Sequence, residues 1–280
     1  MKKREKVFIV IVNYNSGSYI IDCLKSLEIS RYKDIKISEV IIDNSSVDNS
    51  LQLIKQQFSK IKIINNKNNL GFAKAVNQGI KNALQNKADY VFLLNPDTLA
   101  EKNLLKPLIQ LIKSDKKIGI VVPALKDEVK AGSVYSLGLK FNKFLGRTEH
   151  IHLHVNPRSL HHQEEELVSG CAMLIKKEVF KKIGLFDERF FMYFEDSDFC
   201  LRTRKAGFKI YVEPKAVVIH KQNLDKKPNK EIKKKYLVQS NSLFIKKHVA
   251  KIFWPFGWGY LWWLKIRLLL PIFIGIAMTR

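Results

Sequence analysis

The feature that most constrains the fold is an alternation that begins at once. Residues 7–12 (VFIVIV) are apolar at every position and rich in β-branched side chains, which marks a strand buried on both faces of a parallel sheet. The run stops in Asn13, Tyr14, Asn15, Ser16 and Gly17 and gives way to a helical pattern through Ile20, Leu24 and Leu27. Further strands are expected at 38–43, 61–64 and 90–94, with helices around 50–58 and 71–84 between them. Such alternation implies right-handed crossovers, an α/β fold and a mostly parallel sheet with flanking helices. Ligands of these sheets bind beyond the carboxyl ends of the strands. Those ends are polar here, and Asn13, Asp43, Asn65 and Asp97 are expected to face one crevice.

After a helix near 104–112 and a strand at 118–122, the alternation fades from 126 to 166. That stretch holds His150, His152, His154, His161 and His162. The first three alternate, as on one face of a strand, but no cysteine or carboxylate completes a metal-ligand set nearby, so a solvated strand or loop is the expectation. A strand at 168–175, a short helix at 177–183 and two short strands at 209–212 and 217–220 follow. No GxGxxG follows the first strand and no GxxxxGK[ST] occurs, which argues against a dinucleotide fold and a P-loop.

A chain of 280 residues suffices for one large domain with or without an appendage. Lys and Arg number 49 against 26 acids, a net +23, which points to nucleic acid, an anionic membrane surface or a phosphorylated substrate without choosing among them. Cys23, Cys171 and Cys200 are odd in number and lack metal-ligand spacing; the expectation is a reducing compartment, by default the cytosol. The basic lead MKKREK is followed by an apolar run too short for a signal-peptide core.

The most informative acids lie in residues 190–207, FFMYFEDSDFCLRTRKAG. Glu195 and Asp196 follow an apolar wall directly, and partial desolvation would raise a carboxyl pKa and suit a proton acceptor. The same residues also read as a helix N-terminus, with acids in the first turn and Arg202, Arg204 and Lys205 in the last.

From 221 to 251 lysines far outnumber the acids Asp225 and Glu231, and 252–279 is dense in Trp, Phe, Leu and Ile. Its uncharged runs, 252–264 and 268–279, are each shorter than the ~20 residues that span a bilayer. Joining them would bury Lys265 and Arg267 at about 2.5 to 3.5 kcal/mol each. In-plane amphipathic helices are the cheaper arrangement, with Trp254, Trp258, Tyr260, Trp262 and Trp263 at headgroup level and the lysines on anionic lipid. Packing on the chain's own domain or on a second copy, as a homo-oligomer, is the competing reading. The expected organisation is a domain at 1–220 followed by a basic linker and amphipathic helices at 221–280.

The motifs FIVIVNYN (8–15), IIDNSSVDNS (41–50), NNLGFAKAVNQGI (68–80), LLNPDT (93–98), SGCAML (169–174) and GLFDERFFMYFEDSDFCLRTRKAG (184–207), in this order, resemble glycosyltransferase family 2. The match spans about 7–220 and is most similar to a rhamnosyltransferase-like branch, in which NPDT stands in for an acidic triplet. The resemblance implies a GT-A fold and inverting transfer from a nucleoside-diphosphate sugar, thymidine-diphosphate-rhamnose or a uridine-diphosphate sugar. It implies a glycan or polyprenyl-linked acceptor in surface polysaccharide assembly, at the cytoplasmic face of the membrane. Asp196 would be the catalytic base; Glu195, Asp198, Gly170, Cys171 and Arg202 would support it or touch the acceptor. Asn13, Tyr14, Asn15, Asp43, Asn69, Gly71, Lys74, Asn77, Asn95 and Asp97 would bind the nucleotide sugar. Asp97 and His220 would hold Mg²⁺ or Mn²⁺, with Asn95 in place of the triplet's first acid. Tyr236 is followed by Ser240 and Asn241, where family members often carry Arg-Asn. A nucleic-acid-binding protein would place its aromatics in a basic groove, whereas here they lie beside carboxylates or in the apolar tail; a nucleotidyltransferase would not need the paired acids.

Overall fold

The computed structural model describes residues 4–29, 35–127, 134–153, 156–221 and 230–269. The first half follows the expected alternation: β1 (Glu5–Asn13), α1 (Tyr19–Ile29), β2 (Ile35–Asp43), α2 (Ser50–Gln57), β3 (Lys62–Asn65), α3 (Phe72–Gln85) and β4 (Tyr90–Leu94). The chain continues through β5 (Thr98–Ala100), α4 (Leu105–Ser114), β6 (Ile118–Asp127), β7 (Val134–Asn142), β8 (Arg147–Leu153) and β9 (Gln163–Glu164). It closes with β10 (Ala172–Lys176), α5 (Lys177–Ile183), α6 (Glu195–Lys205), β11 (Lys209–His220), α7 (Lys230–His248) and α8 (Trp254–Leu269).

All these strands join one sheet in the order β3-β2-β1-β4-β10-β6-β11-β5, with β7 on β6, β8 on β7 and β9 on β11. The α/β expectation holds, but the sheet is mixed. Parallel pairing is confined to β3-β2-β1-β4 and to β6 with β11, while β10 runs antiparallel between β4 and β6. The cause is the stretch where the alternation faded: it forms the β7–β8 hairpin rather than a crossover helix. The two short strands expected at 209–220 are one strand, with a register shift between Glu213 and Val217. Pro214 lies there and has no N–H for the ladder.

Two apolar layers cover the sheet. One packs α3, α5 and α6 against Val10, Ile42 and Leu93; the other packs α1 and α4 against Ile9, Ile41 and Phe92. Alternate residues of one strand thus serve opposite layers, as a doubly covered sheet requires. Close approach of α3 depends on Gly79, where a Cβ would stand 2.3 Å from a Val10 methyl. A third, smaller core joins α7 and α8 (Ile245, Val249, Leu261) to Phe141 of β7.

Candidate active site

The parallel half brings the ends of β1 and β2 together. Asn13 Nδ2 donates to Asp43 Oδ1 (2.7 Å) and to the Ser46 and Ser50 hydroxyls (3.1 and 3.0 Å). The Asn15 amide donates to Ser46 Oγ, and Asn15 Oδ1 accepts from the Val47 amide. Asp43 is buried, and its Oδ2 accepts from the Ser46 amide (3.1 Å). Each carboxylate oxygen retains a lone pair for a further donor. Asn44, not singled out from the sequence, ties this loop to the next: its side chain donates to Asn69 Oδ1 (2.8 Å) and accepts from the Leu70 and Asn66 groups.

Antiparallel pairings complete the crevice. Leu94 of β4 faces Ala172 of β10, and the Asn95 amide donates to the Cys171 carbonyl (2.8 Å), so Gly170 and Cys171 lie beside the NPDT loop. Thr98 of β5 faces His220 of β11, which sets His220 Nε2 3.4 Å from Asp97 Oδ1. Burial opposes an imidazolium at His220, but the Cys171 thiol and the Asp97 carboxylate outweigh it and lift its pKa to about 11. A cation seated between the two would have to displace that proton.

The result is a cleft of about 290 Å³ lined by Tyr14, Asn69, Gly71, Asn95, Asp97 and Phe191, among others. Gly71 has φ +80, and a Cβ there would stand 2.5 Å from the Phe191 carbonyl oxygen. That carbonyl accepts from the Phe72 amide (2.7 Å), so the first N–H of α3 is occupied. Lys74 is exposed on the following turn. Asn77 falls outside the cleft: buried, it holds the Phe186 backbone through both side-chain atoms (2.9 and 3.0 Å).

Beyond Phe191 lies a second cleft of about 300 Å³ lined by Arg147, His150, Tyr193, Glu195, Asp196 and Tyr260, among others. The loop between the clefts serves both, since Phe191 and Met192 line the first, and Tyr193 and Phe194 the second. Tyr193 and Phe194 have φ of +72 and +65. Two successive aromatic residues in the left-handed region cost about 1 to 3 kcal/mol each, a strain stored directly before the acids. Asp196 Oδ2 accepts from the Gly170 amide (2.9 Å) and Oδ1 from the Ser197 amide (2.6 Å). The Gly170 amide is thereby spent on Asp196, and β10 starts at Ala172 rather than at 168 as expected. A Cβ on Gly170 would stand 3.1 Å from Asp196 Cβ.

The desolvation expected of the acidic pair falls on Glu195. It is 8% exposed, and burial followed by the neighbouring Asp196 charge lifts its pKa to about 8. The first-turn acids also match the helical reading, because α6 begins at Glu195.

Asp198 and Arg202 do not reach either cleft as substrate ligands. Asp198 is fully buried and accepts from Arg202 Nε (2.8 Å) and His248 Nε2 (2.8 Å), with Lys247 at 2.5 Å. Burial acts to raise its pKa, yet the His248 and Lys247 hydrogen bonds and the Arg202 charge hold it below the usual carboxylate range. Arg202 also donates to the Ile183 and Leu185 carbonyls. These residues lock α6 to α7. Where the family often has arginine, Ser240 donates to the Met192 carbonyl (2.7 Å), and Asn241 to the Gly146 carbonyl (2.6 Å).

Residues 8–184 match the family described as Glycosyl transferase family 2, well over half of the chain. The chain belongs to glycosyltransferase family 2. Residues 149–223 also match the family described as N-terminal domain of galactosyltransferase. Among family 2 relatives, the N-acetylglucosaminyl-diphospho-decaprenol L-rhamnosyltransferase of Mycobacterium tuberculosis is 27% identical over 233 residues, 76% of this chain and 75% of that protein. The dTDP-rhamnosyl transferase RfbF of Shigella flexneri is 24% identical over 214 residues, 76% and 68% respectively. A crystal structure of GalNAc-T7 with UDP, GalNAc and Mn²⁺ superposes with a TM-score of 0.64 at 19% identity, covering 85% of this chain and 48% of that one. The shared fold is GT-A, as the motifs implied.

Arg147, Tyr193 and Tyr260 were not anticipated as site residues. Tyr260 lies among the aromatics attributed to a membrane surface, and Arg147 stands where the strand alternation had faded. His150, expected on a solvated strand, lines the second cleft and pairs its Nδ1 with Ser136 Oγ (2.9 Å). His154 lies outside the described residues, as do most of the second apolar run of the tail and residues 222–229 of the basic stretch, whose larger part forms α7.

Proposed function

We propose that the protein transfers rhamnose, with inversion, from thymidine-diphosphate-rhamnose to a hydroxyl of a lipid-linked glycan in surface-polysaccharide assembly. The observation that carries this is the pair of clefts: one lined by Asp97, which His220 meets at 3.4 Å, the other by Asp196, with the loop 191–194 between them. The names of the relatives support the sugar and the lipid-linked acceptor.

In this reading the first cleft takes the nucleoside diphosphate and the second the acceptor. Asp196, oriented by the Gly170 and Ser197 amides, accepts the proton of the acceptor hydroxyl as that oxygen bonds to the anomeric carbon. The bond from that carbon to the diphosphate breaks on the opposite face, and the nucleoside diphosphate leaves with the electron pair. One displacement requires one base and no enzyme nucleophile.

Asp97 and His220 are two donors 3.4 Å apart, and among the described residues no group of three His, Cys, Asp or Glu side chains stands together to hold a metal ion. Two donors fit a divalent cation that takes its other ligands from diphosphate and water. When bound, Mg²⁺ or Mn²⁺ would neutralise charge on the leaving group, and the imidazole favours Mn²⁺.

Residues 1–220 form the transferase unit in this account, with α7 closing its site and 221–280 associating with the cytoplasmic membrane face. Ile252, just before α8, and Phe256, Trp262 and Trp263 on α8 are exposed, as are Lys251 and Lys265. No helix among the described residues is long and apolar enough to cross a membrane, and this composition suits the interface.

The test is release of nucleoside diphosphate from a panel of thymidine-, uridine- and guanosine-diphosphate sugars, with and without Mn²⁺ or Mg²⁺. Release from thymidine-diphosphate-rhamnose alone, stimulated by the metal, is expected. Preference for a uridine-diphosphate sugar would replace the donor, and failure to bind any sugar nucleotide would refute the reading.

A further inference from the structure

One face of α7 follows the loop between the clefts residue by residue. Tyr236, Ser240, Phe244 and Lys247 recur four, four and three residues apart along the helix, a spacing that puts them on one side of it. The Tyr236 ring stacks on Phe191, with centroids 4.0 Å apart. Ser240 Oγ donates to the Met192 carbonyl (2.7 Å). Phe244, fully buried, packs on the Phe194 ring at 5.0 Å, and the Lys247 ammonium lies 5.4 Å from the centre of the Phe190 ring. The Phe72 amide of α3 holds the Phe191 carbonyl in turn, so the loop is pinned between two helices. Its backbone needs such support: Tyr193 and Phe194 have φ of +72 and +65, and aromatic residues stay in that region only where their surroundings over-determine it.

What α7 holds is the partition between the clefts. Phe191 and Met192 line the first, Tyr193 and Phe194 the second, and Asp196 follows two residues on. Tyr236, Ser240 and Phe244 line neither cleft, so they act through the loop and are positioning residues. In the proposed transferase reading, on which this inference rests, the donor's anomeric carbon sits where the clefts meet, and water competes there with the acceptor hydroxyl. In that side reaction the water oxygen bonds to the anomeric carbon, its proton passes to Asp196, and the nucleoside diphosphate leaves with the electron pair, giving free sugar. We infer that α7, by fixing loop 190–194 through Tyr236, Ser240 and Phe244, keeps water from the bound donor and so sets transfer above hydrolysis.

The experiment compares the full-length wild type with Tyr236→Leu, Ser240→Ala, the double variant and Tyr236→Phe, which keeps the ring. Hydrogen–deuterium exchange across 190–198 needs no substrate. It should be about threefold to tenfold faster in Tyr236→Leu and in Ser240→Ala and restored in Tyr236→Phe, with β1 protected as in the wild type to establish that each variant is folded. The second readout is release of thymidine diphosphate from thymidine-diphosphate-rhamnose with no acceptor present. Hydrolysis at saturating donor should rise about tenfold in the double variant, a gain that damage to the fold would not produce, because damage lowers every rate. Wild-type exchange in both single variants would overturn the hold of α7 on the loop. Faster exchange with hydrolysis unchanged or lowered would overturn its part in excluding water. Failure of the wild type to bind any sugar nucleotide would defeat the transferase reading and the exclusion of water with it, and the exchange data would still decide whether α7 fixes the loop.

Discussion

Asp196 meets Gly170 at a separation that leaves space for a hydrogen and little else. Gly170→Ala would place a methyl 3.1 Å from Asp196 Cβ, so the carboxylate must move by a few tenths of an ångström. Since positional errors of about 1 Å cost about a hundredfold, a loss of roughly tenfold in turnover is expected, with donor affinity and melting temperature nearly unchanged. Glu195 gives a different signature. Its folded-state pKa of about 8 lies above the ordinary 4.5, so the folded state binds more protons than the unfolded one between those values. Its stabilising contribution is complete below about pH 4.5 and is lost as pH rises to about 8. Glu195→Gln should therefore flatten the fall of melting temperature across that window; a wild-type slope in the variant would contradict the buried carboxylic acid. The Asp97–His220 contact was legible only through the family motif. The residues are far apart in the chain, and the strand that pairs them, β5, has three residues, too few for any periodicity. The Arg147 contribution carried no local signal, because an arginine opening an irregular strand resembles any solvated cation.

At the level of elements, the parallel half was legible because β1 and β4 carry buried apolar runs, β2 ends in one, and the helices between them show a buried face. The antiparallel half was not, because hairpin geometry depends on tertiary partners rather than on local pattern. The clasp between the β7–β8 turn and α7 is one such partner. Gly146 has φ +65 and would place a Cβ 2.4 Å from an Ile245 carbon, while Asn241 holds its carbonyl. Gly146→Ala combines overpacking with a left-handed backbone and should cost about 1 to 3 kcal/mol, measured by urea unfolding. Its transfer rate should fall more than its nucleotide affinity, because the clasp borders the second cleft. The α6–α7 lock is stronger. Asp198→Ala would leave Arg202, Lys247 and His248 facing one another, and loss of a buried ionic partner costs about 3 to 5 kcal/mol.

For the whole molecule, the chain carries a net charge of +23, and α8 exposes Phe256, Trp262, Trp263 and Lys265. Phe256→Ser with Trp262→Ser, in the full chain, should release the protein from vesicles containing anionic lipid, and raised salt should weaken the wild type in the same assay; undiminished binding by the double variant would exclude α8 as the contact. The net charge alone left nucleic acid, membrane and phosphorylated substrate open, and only the placement of the aromatics beside the second cleft relates charge to chemistry. The central claim is that two clefts meet at one base. It is tested most directly by comparing wild type with Asp196→Asn for donor affinity and for transfer under saturating donor. The account predicts equal donor affinity and a rate lowered by about 10² to 10⁴ in the variant. Transfer at the wild-type rate would contradict it.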